Sequence, residues 1–288
     1  MNSIRLLLNS VIDYAGLFPP AGLAMAEALR NYANDKAGYF SWALGRFIVP
    51  ISRLPELESC MDEFKQNWRL SVLAGSNPES DLEKIIDFNR RCPPFVIDTV
   101  EAKAADIRSI DLLLKVFGGR FQTYLEIPAD KHSVALIAAI ARVGGRAKVR
   151  TGGIRPELFP SPAELAEFIS SCAEQRVSFK ATAGLHHALR SVHPLTYEPS
   201  SPSGTMHGFV NVIVASAFAS AGADEETLKA ILEEETIKSF NFEDGALSWR
   251  GRRIDSGRLR EMRERFFLSF GSCSFREPIS EMKALRML

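Results

Sequence analysis

Residues 146–153 read RAKVRTGG and residues 177–190 read VSFKATAGLHHALR. Each places a lysine inside a strand-length apolar run and follows it with a small-residue turn. One helix-sized interval separates them, and it carries its own signature: Ser161 as N-cap, Pro162 at the first helical position, Glu164 completing a capping box, and Leu165, Phe168, Ile169 and Cys172 on one face. Strand, turn, helix and strand in that order predict neighbouring parallel strands, so that Lys148 and Lys180 converge on one pocket.

The same unit repeats toward the N-terminus. Strands are predicted at Val11 to Phe18, Arg46 to Ile51, Arg69 to Ala74, Phe95 to Val100, Phe121 to Ile127, Arg146 to Thr151 and Val177 to Thr182. Strands in series with helices between them predict a (β/α)8 barrel, for which 288 residues are sufficient as a single domain. The first turn, DYAGLFPPAG, is unlike the glycine-rich dinucleotide fingerprint of a doubly wound sheet, which argues against NAD.

After Arg190 the pattern changes. His193 to Gly208 reads as a long loop, Phe209 to Ala221 as an apolar helix, and Glu225 to Glu235 as a helix capped by Asp224. Asp244 and Gly245 mark a hairpin turn. SGRLREMRER (256–265) is helical, FFLSFGSCSF (266–275) is taken as the eighth strand, and PISEMKALRML closes the chain as a helix. Residues 190–265 are thus expected to form an insertion of helices and a β-hairpin between strands seven and eight. The competing position for the eighth strand is near 239–250.

Composition narrows the function classes. Thirty-five basic residues balance 35 acidic ones, leaving no long-range field to gather nucleic acid or an anionic membrane. The four cysteines form no CxxC pair, so reduced thiols in a cytoplasmic protein are expected. The N-terminal apolar patch, broken by Asn9 and Asp13, falls far short of the roughly 18 apolar residues of a membrane span. The expected partner is a small-molecule substrate, with a homodimer possible and Trp249 as its candidate anchor.

Barrel strands alternate inward and outward residues. Parity points Lys180 and Thr182 inward on the seventh strand, Lys148 and Arg150 on the sixth, and Gln122, Tyr124 and Glu126 on the fifth. Asp98 is assigned the same level on the fourth. Barrel sites lie at the C-terminal strand ends, so these groups form the candidate catalytic set: Lys148, Lys180, Asp98 and Glu126. An amine must shed its proton to attack a carbonyl, which a neighbouring ammonium and partial desolvation favour, while the carboxylates move protons.

The order VIDTVEAK, TYLEIP, KVRTGGI and FKATAGL resembles the strands of class I aldolases of the deoxyribose-phosphate aldolase type. The resemblance spans roughly Phe95 to Gly184 plus the turn GSCSF (271–275). It implies a lyase with Lys148 as the Schiff-base lysine, Lys180 as the second lysine that lowers its pKa, and Asp98 in the proton relay. It also implies phosphate binding by backbone N–H groups of the GSCSF turn. This sequence departs from the family at Arg150, Ala183, His186 and His187.

Gly152, Gly184, Gly271, Ser272 and Ser274 are candidate anion-binding positions on the turns, with Arg150 and Arg190 as side-chain charges and His186 and His187 as substrate contacts. The rival chemistry needs no Schiff base: His186, His187, His193 and His207 lie close together, and two of them with Glu126 or Asp98 would hold a divalent metal, although no zinc motif is matched. Otherwise no cofactor is expected. A third reading is a non-catalytic barrel that binds a metabolite or protein. Asp13 and Tyr14, with Phe18, Pro19 and Pro20, are a pocket wall or a packed turn, and Cys273 is taken as structural.

Overall fold

The computed structural model describes residues 3–64 and 67–288. Eight parallel strands close a barrel: β1 (Ile12–Tyr14), β2 (Leu44–Pro50), β3 (Trp68–Leu73), β4 (Phe95–Lys103), β5 (Gln122–Ile127), β6 (Arg146–Arg150), β7 (Phe179–Thr182) and β8 (Phe267–Ser272). Each pairs with its sequence neighbours, and β1 pairs with both β2 and β8 to complete the ring. The fold is a (β/α)8 barrel.

The helices form the outer layer for the reasons read in the sequence. Pro162–Glu174 starts on the expected capping box, in which Ser161 and Glu164 bond each other's backbone N–H. Beneath the strands, Tyr32, Phe47, Trp68 and Phe95 pack ring against ring, with Tyr32 and Trp68 centroids 4.8 Å apart.

Several elements differ from expectation. β1 is three residues long, because Phe18 and its prolines turn over the barrel mouth. β4 runs on to Lys103. It also carries an irregularity: Ile97 pairs with Leu70 and Thr99 with Ser71, so Asp98 is an extra residue in a β-bulge. The expected loop at 193–208 contains a two-stranded hairpin, Ser191–Pro194 with Ser203–Met206. The hairpin turning at Asp244 and Gly245 gains a third strand, giving an antiparallel sheet of Phe240–Glu243, Ala246–Trp249 and Arg252–Asp255. That sheet is separate from the barrel, which removes 239–250 as a position for the eighth strand.

Helix Phe209–Ser220 is apolar on every side because it is covered on every side. Phe209 stacks on Phe270 of β8 at 5.3 Å, and Phe218 meets Trp249 edge-on at 6.2 Å. Trp249 is therefore buried within its own chain, its indole N–H donating to Glu234, and is no exposed dimer anchor. Among the described residues, no helix is long and apolar enough to cross a membrane.

Candidate active site

Register brings the two lysines side by side, since Lys148 pairs with Lys180 across β6 and β7 and Glu126 pairs with Lys148 across β5 and β6. Their ammonium groups enter a line of alternating charge through the barrel. Lys180 Nζ donates to Asp13 Oδ2 at 2.6 Å and to Glu101 Oε1 at 2.7 Å. Lys148 Nζ lies 2.8 Å from Glu101 Oε2 and 2.8 Å from Glu126 Oε2. Arg150 Nε, 3.4 Å from Glu126 Oε1, ends the line at the mouth. Hydroxyls donate to the same two oxygens that accept from Lys180: Ser71 to Glu101 Oε1 at 2.7 Å and Ser269 to Asp13 Oδ2 at 2.7 Å. The ring of Tyr124 lies under Lys180, 5.4 Å from Nζ.

Glu101 is the joint of this line and was not singled out in the sequence. Strict alternation counted from Asp98 turns it outward; the bulge at Asp98 shifts the parity and turns it in. Burial raises its carboxyl pKa, but Lys148 and Lys180 outweigh that and hold it far below the usual carboxylate range. Glu126 is likewise lowered, Lys148 overcoming the effect of burial. For Lys180, burial favours the neutral amine, yet Asp13 and Glu101 prevail and raise its pKa. Lys180 is a fixed positive charge.

Above the line lies a cavity of about 260 Å³ at the C-terminal strand ends, its lining including Lys148, Glu101, Glu126, Arg150, Lys103 and Gly271. Phe18 and Pro19 form part of its wall, as the DYAGLFPPAG turn allowed, together with Ile48, Leu73, Ile154 and Leu158. Lys180 does not line it. A larger hollow of about 890 Å³ sits outside the barrel against helices Pro162–Glu174 and Ser256–Arg265, and none of the groups in the charge line reaches it.

The other candidate residues divide. Asp98 is remote from the lysines: it sits near the N-terminal end of the barrel, paired with Arg46 at 2.6 Å and Arg69 at 3.0 Å. Arg190 bonds Glu235 at 2.8 Å, outside the cavity lining. Gly184 has φ +75° and its Cα lies against Gly152, where a Cβ would come within 2.9 Å; these two glycines serve close packing of adjacent turns. The Ser272 hydroxyl donates to Ser274 O at 2.7 Å and the Ser274 hydroxyl accepts from Glu277 N at 3.2 Å, so both are used within their own turn.

His186 does line the cavity. Its Nδ1 edge faces Cys273 Sγ at 3.8 Å and Glu277 Oε2 at 3.5 Å, and Tyr197 donates to Glu277 at 2.8 Å. Burial works against the imidazolium, but Cys273 and Glu277 raise its pKa to about 9. His187 points elsewhere: its ring stacks on His193 at 3.3 Å and its Nδ1 lies 3.2 Å from Glu281 Oε1. His207 bonds Pro160 O at 2.7 Å. Neither Glu126 nor Asp98 joins a histidine among the described residues; the cluster with metal-ligand spacing is His187, His193 and Glu281.

Comparison with protein-family models and with curated proteins returns no match. Among solved structures, the chain is similar to one titled "Structure of a novel GH10 endoxylanase retrieved from sugarcane soil metagenome". That likeness has a TM-score of 0.39 and 11% identity, and it covers 69% of this chain and 75% of that one. It is too distant to bear on chemistry. The barrel rests on the strand pairing itself.

Proposed function

We propose that this protein is an imine-forming enzyme of the aldolase-like lyase type, acting through Lys148 on a small aldehyde or keto acid. The observation that carries the reading is the division of labour between the lysines: Lys148 reaches the cavity, while Lys180 is sealed beneath it between two carboxylates. A substrate carbonyl above Lys148 meets an amine whose proton has an immediate acceptor in Glu126, 2.8 Å away. The freed amine adds to the carbonyl carbon, the carbonyl π pair takes a proton to become a hydroxyl, and loss of water leaves the imine. The protonated imine then takes up the electron pair of the Cα–Cβ bond as it breaks, leaving an enamine on Lys148, while the β-hydroxyl of the departing fragment gives up its proton and becomes a carbonyl. Lys180 stays charged throughout, held beneath the reacting amine between Asp13 and Glu101. Arg150, Lys103 and His186 give the cavity a cationic side suited to a carboxylate or phosphate on the substrate.

Borohydride trapping with a panel of aldehydes and keto acids, read by intact mass and peptide mapping, tests this. The adduct is expected on Lys148 and is lost in Lys148→Ala. Lys180→Met is expected to retain trapping on Lys148, because Lys180 does not reach the cavity. An adduct on Lys180, or none across the panel, overturns the proposal.

A second reading has its own observation, the cluster of His187, His193 and Glu281, whose ligand atoms lie within 4.8 Å of one another. In that reading a divalent ion on the rim supplies the Lewis acid. Activity that follows added metal and disappears with His193→Ala, but survives Lys148→Ala, would favour it.

A further inference from the structure

The opposite end of the barrel holds a second concentration of unmatched charge. A cavity of about 290 Å³ is lined by Arg5, Leu6, Asn9, Arg260, Arg263 and Glu264. Its arginines come from helix Ser3–Leu8 and helix Ser256–Arg265, the segments that precede β1 and β8. Among the described residues, none of the three guanidinium groups has a carboxylate within 4.0 Å, whereas most other arginines of known environment here do. Arg5 lies instead over the Trp42 ring at 5.0 Å.

Arg263 is the most demanding of the three. Its Nη1 donates to Phe267 O and its Nη2 to Asn9 O at 3.0 Å, both neutral carbonyls. Its Nε is buried with no partner. Burial pushes this guanidinium down to about 10, and no carboxylate in contact with it offsets that. A partly buried cation whose bonds go only to neutral carbonyls is a cost that an anion in the adjoining cavity would offset.

We propose that this cavity binds a phosphate monoester, with its phosphate held between Arg5, Arg260 and Arg263. Three arginines against the single carboxylate of Glu264 leave two positive charges, which a phosphate monoester near neutral pH matches, and guanidinium forks suit its oxygens. The volume exceeds that of the anion alone and leaves space for a small organic group beside Leu6 and the arginine stems. The site lies across the barrel from the mouth, so it is a second binding site and does not depend on the imine reading.

The test is calorimetric titration of the full chain with inorganic phosphate and with glycerol 3-phosphate at constant ionic strength, using chloride and citrate as controls. Saturable binding of glycerol 3-phosphate is expected. It should weaken at least tenfold in the double variant Arg5→Gln/Arg260→Gln, whose replaced side chains are exposed, and persist in Arg150→Gln at the mouth. The site is overturned by absence of saturable binding, by binding indifferent to Arg5 and Arg260, or by binding abolished with Arg150→Gln. Tight citrate binding without binding of either phosphate would overturn the ligand class. Thermal unfolding of each variant without ligand confirms that it is folded.

Discussion

Replacing Glu101 by glutamine takes away the one carboxylate that both lysines share and leaves two ammonium groups facing a neutral amide. Removing one partner of a buried ion pair costs about 3–5 kcal/mol. Glu101→Gln is therefore expected to lower the urea midpoint by a corresponding amount, and Ser71→Ala by much less, since Ser71 only donates to a carboxylate that two lysines already hold. A loss under about 1 kcal/mol for Glu101→Gln would mean that Glu126 and Asp13 suffice to hold the two lysines. His186 makes a separate prediction. Its pKa rises from 6.5 to about 9 on folding, despite burial, through Cys273 and Glu277. A group so raised contributes stability that is full below pH 6.5 and disappears as pH climbs through 9. The unfolding free energy of the unmodified protein should fall across that window by up to about 3 kcal/mol, read as a lower thermal midpoint, and His186→Gln should flatten the decline.

At the scale of elements, regular strands were legible and irregular ones were not. β6 and β7 alternate without interruption, so parity alone faced Lys148 and Lys180 inward and the register put them side by side. The same rule set Glu126 and Tyr124 correctly on β5. On β4 it failed, because one extra residue is invisible to a count of alternation, and the failure hid Glu101 while promoting Asp98 to the wrong end of the barrel. Asp13 was noticed only as a wall residue; that a strand of three residues would reach under Lys180 depends on pairings between the two ends of the chain. β1 and β2 also meet through a glycine. A Cβ at Gly45 would come 2.3 Å from Asp13 Oδ1, the oxygen that accepts the Arg46 backbone N–H. Gly45→Ala is expected to displace the Asp13 carboxylate and cost about 1–3 kcal/mol, measurable as a lower urea midpoint. It should also reduce trapping at Lys148 if the Asp13–Lys180 pair sets that amine's environment.

For the whole molecule, the segment between β7 and β8 is structural as much as inserted. Its helix Phe209–Ser220 stands in the barrel's own outer layer, packed on β8 through Phe209 and Phe270. Unfolding is therefore expected to be a single event, with far-UV circular dichroism and tryptophan fluorescence superimposing in urea; Trp249 reports the inserted sheet and Trp68 the barrel floor. Phe209→Ala should shift both signals together and cost about 3–5 kcal/mol. Two separated transitions would show that 191–255 is an independent unit.

The manner of closure also sets an order in time. β1 leaves the ribosome well before β8, and Ser269 must bond Asp13 across 256 positions of chain. At about 5–20 residues per second, the first strand waits on the order of ten seconds or more for its neighbour. Throughout that wait β1 and β7 each present an unpaired edge, separated by the width of the missing strand. A nascent chain halted just before Phe267 is then an open sheet whose two edges are free to pair with another copy. Premature termination there yields a chain that associates instead of one that folds less well.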